Sequence, residues 1–91
     1  MENLQTRVAV ISIIVEGSAD TTALNTLLSG AKEYIIGRMG IPYREKGINI
    51  ISVAIDAPQD VISALSGQLG NLPGITAKTA YSNVITETEK T

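Results

Sequence analysis

Two runs of the chain, RVAVISIIVE (7–16) and INIISVAID (48–56), put branched aliphatic side chains on both alternating faces of an extended backbone. A strand with apolar groups on both sides has to be covered on both sides, so each run belongs inside a sheet and not at its edge. Each is followed by a turn and then by a helical period. After the first, GSADTT offers Ser18 and Asp20 as helix N-caps, and Ala23, Leu24, Leu27, Leu28 and Ala31 fall on one helical face. After the second, Pro58 suits a first turn and Val61, Ile62, Leu65 and Leu69 make the buried face. Gly67 is expected to let that helix pack closely, with Gly70 as its C′ residue and Pro73-Gly74 closing the connection.

EYIIGRMGIPY (33–43) reads as another strand, weakened by glycine and by Pro42. Proline cannot donate to a ladder, so this strand lies at an edge, joined to the next by the REKG turn. ITAKTAYSNV (75–84) is the last strand, and a single domain is taken to span 1–83, with 84–91 a polar tail that has little to bury. The order is β-α-β-β-α-β. Right-handed crossovers then predict an α+β, ferredoxin-like sandwich: an antiparallel sheet ordered 4-1-3-2 with two helices on one face. That order makes the two most apolar runs central and the proline-bearing strand an edge, so pattern and topology agree.

The inventory narrows the chemistry. The 91 residues include no cysteine and no histidine, which leaves no thiolate or imidazole metal site and no Ser-His or Cys-His catalysis. No metal or other cofactor is expected. A formal charge of −2 and the absence of Phe and Trp argue against direct nucleic-acid binding, by phosphate neutralisation or by base stacking. No apolar run approaches the ~20 residues of a membrane span, and the first residues lack a secretion signal, so the cytoplasm is the expected compartment.

Three stretches could carry function. At VEGSADT, Glu16 and Asp20 could meet an amino group while Gly17, Ser18 and the helix start admit a small effector; ordinary capping accounts for Ser18 and Asp20 equally well. The cluster Arg38, Tyr43, Arg44, Glu45 and Lys46 could receive an anionic effector or an acidic partner, with Arg38, Tyr43 and Arg44 at an interface rim, or it could be charge that protects an exposed edge strand, the reading kept for Lys46. SGQLGNLPG (66–74) matches neither nucleotide-binding fingerprint and reads as structural. No pair of carboxylates is placed for acid–base work, so an enzyme is not expected.

GRMGIPYREKGINIISVAIDAP and ISALSGQLGNLPGITAKTAYS together resemble a family named for regulation of the iron-only hydrogenase system, over nearly the whole stretch from Val8 to Tyr81. That family's fold is similar to ACT domains and to the C-terminal domain of nickel-responsive repressors. The resemblance implies a small regulatory or accessory protein, with Arg38 inside the shared GRMG pattern. The nickel repressors' histidine and cysteine ligands are absent here, and with six residues before the first expected strand no DNA-reading arm is expected. In the ACT-like alternative the strand–helix turn at Glu16–Asp20 senses an amino acid.

Helices on one side of the sheet leave the other side open. Alternation places Ile11, Ile13, Val15, Ile51, Val53 and Ile55 on one face. Val10, Ser12, Ile14, Ile50 and Ser52 are on the other, with Val8, Ile48 and Ala54. If the first set meets the helices, the second is an exposed aliphatic surface. A homodimer or homotetramer through that face, together with an unidentified protein partner, is therefore expected.

Overall fold

The computed structural model describes residues 2–90. In chain order it contains β1 (Glu2–Glu16), α1 (Thr21–Gly30), β2 (Ile35–Tyr43), β3 (Ile48–Ala57), α2 (Gln59–Gly70) and β4 (Ile75–Lys90). Single 3-10 turns at Lys32–Tyr34 and Arg44–Lys46 lead into and out of β2. The four strands form one antiparallel sheet ordered β2-β3-β1-β4, the ferredoxin-like arrangement that the run order predicts.

Alternation decides which residues make the core. Ala9, Ile11, Ile13 and Val15 of β1 and Ile51, Val53, Ile55 and Ala57 of β3 point to the helical side. They meet Leu24, Leu28 and Ala31 from the α1 segment, Ile62, Leu65 and Leu69 of α2, and Ile75 of β4. Val61 and Leu27, expected in the helical faces, are only partly buried and pack at the margin of this cluster. The core contains no buried polar or charged residue among those described. Each fully buried Ile, Leu or Val contributes roughly 1.5–3 kcal/mol by leaving water, so the fold rests on aliphatic packing between one sheet face and two helices.

Local chemistry sets the element ends. Of the two candidate caps it is Asp20 that caps α1, its Oδ1 accepting from the N–H groups of Thr22 (3.0 Å) and Ala23 (3.1 Å). Pro58 stands one step outside α2 as its N-cap, and Gly70 is the last helical residue, followed by Asn71 as C-cap. Gly67 has open space where a Cβ would be, so close packing is not its reason. Gly47 (φ 63°) and Gly74 (φ 76°) are the positions whose backbone requires glycine. At Gly74 a Cβ would also sit 3.2 Å from Ala19 Cβ.

The expected strand limits need correction at both termini. β1 begins at Glu2 rather than Arg7, and the segment read as a polar tail continues β4, pairing from Arg7↔Ile85 to Glu2↔Lys90. Ladder formation satisfies backbone groups whatever the side chains are, and the Thr-rich end of the chain suits an extended ribbon even with no core to cover. The ribbon lengthens the molecule to 51 Å along its main axis, against 21 and 16 Å across.

It joins the sheet at an irregularity where Arg7 faces Ile85 but Ala9 faces Tyr81, so Ser82, Asn83 and Val84 lie against Val8 alone. Ser82 stitches this bulge. Its hydroxyl donates to the Val8 carbonyl (2.6 Å) and accepts from the Val84 N–H (3.1 Å).

Candidate functional site

The helices do not cover the whole sheet. From Ile36 to Tyr43 every residue of β2 is exposed, and between this edge strand and α1 lies a cleft of about 390 Å³. Register explains its shape. Arg38, Gly40 and Pro42 pair with Val53, Ile51 and Asn49, and therefore face the helical side. Gly40 puts no side chain between its two neighbours, so the groove stays open above Ile51. The floor is Val15, Leu24 and Ile51; Thr21 and Asn25 of α1 form one wall, and Arg38, Pro42 and Asn49 form the other. Among the described residues, the side chains of Arg38, Asn25 and Asn49 have no hydrogen-bond or ion-pair partner within the fold.

The Glu16–Asp20 turn lies beside this cleft but does not line it. Gly17 is held close to the β2–β3 turn, where a Cβ would meet the Gly47 carbonyl oxygen at 3.0 Å. Glu16 donates its N–H to the Gly74 carbonyl (2.8 Å) and accepts from the Ala19 N–H (3.0 Å). Asp20 spends its carboxylate on the helix cap. Of the basic cluster, Arg38 alone reaches the cleft. Tyr43 donates to Glu45 Oε2 at 3.3 Å, and Arg44 begins the 3-10 turn that Gly47 closes. The sequence reading missed Thr21, Asn25 and Asn49. They come together only where the start of α1 faces β2 and β3 across the cleft.

On the opposite side of the sheet, cross-strand register places Val10 against Ala54, Ser12 against Ser52 and Ile14 against Ile50. β2 extends the same face with Met39 against Ser52 and Ile41 against Ile50. Met39 is 61% exposed, Ile41 52%, Ile14 43% and Ile50 41%, so the face is uncovered and apolar across β2, β3 and β1, while β4 adds Thr76 beside Ile14 and Lys78 beside Ser12. At its far end Asp56, paired with Val8, has one carboxylate oxygen buried without a hydrogen-bond partner.

A third constellation ties α2 to β4. The hydroxyls of Ser63 and Tyr81 are 3.2 Å apart, and Thr79 donates to Ser66 at 2.9 Å. Arg7 donates to Gln59 Oε1 (3.1 Å) and lies 5.8 Å from the centre of the Tyr81 ring. These groups satisfy one another and read as a polar seam that holds the helix to the edge strand. Among the described residues no three acidic side chains gather into a metal-binding group, and no helix is long and apolar enough to cross a membrane.

The comparisons agree with this architecture. The structure of protein TM1266 from Thermotoga maritima superimposes with a TM-score of 0.80 at 35% identity, covering 84% of this chain and 96% of that one. A formyltetrahydrofolate deformylase from Pseudomonas putida KT2440 matches with a TM-score of 0.61 over 85% of this chain. That match is 13% identical and spans 29% of the deformylase, so it shows a shared ACT-like fold and no more. No curated protein matches the sequence. The family model described as TM1266-like, that of an iron-only hydrogenase system regulator, matches residues 7–79, most of the sheet and both helices. The chain belongs to the TM1266-like family.

Proposed function

We propose that this protein is a regulatory module of an iron-only hydrogenase system that acts as an assembly of its own copies, joined through the open sheet face, and that binds its partners without catalysing a reaction. The family match supports the regulatory role. The assembly rests on one observation, the uncovered apolar surface formed by Ile14, Met39, Ile41 and Ile50 around Ser12, Ser52 and Ala54. A monomer seldom leaves an apolar patch larger than a few hundred Å² in water, and a second copy of the same face is its natural cover. The small Ser12–Ser52 pair leaves room for a second sheet, and Lys78, next to Ser12 in the register, bounds the apolar area on the β4 side. Tyr43 and Arg44 stand at the end of the face, at the β2–β3 turn, where charge sets register and meets a protein partner at the rim, while Lys46 belongs to the solvated turn.

Sedimentation of the full chain tests this reading. The unmodified protein should run as a dimer or tetramer at micromolar concentration. Replacing Val10 and Ile50 together by lysine should release a folded monomer, whereas Lys46→Ala should leave the assembly intact. An unmodified protein that stays monomeric would end the proposal.

A further inference from the structure

The cleft between α1 and β2 lies on the other side of the sheet from the proposed assembly face, and its chemistry is separate. We infer that it is a binding site for a small organic acid: one carboxylate held by Arg38, and a short aliphatic body lying over Gly40 on the Val15–Leu24–Ile51 floor.

Four observations carry this. The volume of about 390 Å³ is sufficient for a small molecule, since ligand pockets occupy ~300–1,000 Å³ and pair an apolar lining with a few convergent polar groups. Arg38 is a planar cation with five donors suited to a carboxylate, and it has no partner within the fold among the described residues. Gly40 is not demanded by the backbone: its φ is not positive, and an added Cβ would meet nothing nearer than Ile51 Cγ1 at 4.0 Å. Glycine inside a strand weakens it, and room for close approach by a ligand is one use that repays the cost. The fourth observation is what the cleft lacks.

No acidic side chain lines it, so an amino acid's ammonium group would find no counter-charge there. Nor is it built for phosphate. Two of the N–H groups at the start of α1, those of Thr22 and Ala23, are already taken by Asp20, which removes them from the helix-terminus anion site that a phosphate would use. A single guanidinium flanked by the neutral amides of Asn25 and Asn49 matches one negative charge with an apolar tail.

The test is an amide NMR titration of the full-length protein with 4-methylpentanoate, its uncharged amide 4-methylpentanamide, and inorganic phosphate. The acid should produce saturable shifts centred on Gly40, Asn25 and Asn49, and the amide and phosphate should not. Arg38→Gln should weaken binding roughly 10–100-fold, as expected for loss of a charged hydrogen-bonded pair. Gly40→Val should abolish binding while leaving the rest of the spectrum in place, which separates a filled cleft from a misfolded chain. Absence of saturable shifts with the acid would overturn the inference, as would equal binding of the amide, equal binding of phosphate, or full affinity in Arg38→Gln. Oligomeric state, measured on the same samples, reports separately on the sheet face.

Discussion

Gly40 lies directly opposite Ile51 in the β2–β3 ladder, and the place where its side chain would be is occupied by nothing. A strand position of this kind loses chain entropy on folding without burying a side chain in return. Gly40→Val should therefore fold normally and unfold at an equal or higher urea concentration, by up to about 1 kcal/mol, since a β-branched residue suits the pleat. A lower midpoint would mean that the open groove is part of the packing.

Gly74 and Gly67 should respond with opposite signs. Gly74 has φ 76° and a neighbour 3.2 Å from any added Cβ, so Gly74→Ala should cost about 1–3 kcal/mol through strained backbone and contact with Ala19. Gly67 sits inside α2 with free space around it, and Gly67→Ala should gain roughly 0.5–1 kcal/mol from helix propensity. Urea denaturation of the two variants side by side measures both.

The two candidate caps of α1 are equally separable. Asp20→Ala leaves two first-turn N–H groups without their acceptor and should lower stability by about 0.5–2 kcal/mol. Ser18→Ala touches no cap and should stay within about 0.5 kcal/mol of the unmodified chain. Thermal unfolding followed by circular dichroism distinguishes them.

Ser82 closes the bulge from which the terminal ribbon emerges. Ser82→Ala removes the hydroxyl that bridges Val8 and Val84, leaving both backbone groups to solvent or to poorer partners. Amides in 2–7 and 85–90 should then exchange faster by hydrogen–deuterium exchange, while those of Ile11, Ile13 and Val53 keep their protection. Uniform acceleration across the sheet would show that the bulge supports the core as well as the ribbon.

Element order was legible from local periodicity, the edge from the missing donor of Pro42, and sheet order from the handedness of the two crossovers. Ile11, Ile13, Val53 and Ile55 alternate with their neighbours, and Pro42 cannot serve a central ladder. The open face at Ser12, Ile14, Ile50 and Ser52 follows from the same alternation once the helices lie on one side. The ribbon was not legible: residues 2–6, polar but for Leu4, and the polar residues 86–90 pair through their backbones, and backbone hydrogen bonding leaves no hydrophobic trace. The cleft was legible only in Arg38. Thr21, Asn25 and Asn49 carry no pattern along the chain, and they converge because α1 packs over the central strands and leaves β2 bare. How far a helix reaches across a sheet depends on the volumes packed beneath it, and that is a property of the assembled core and not of any one segment.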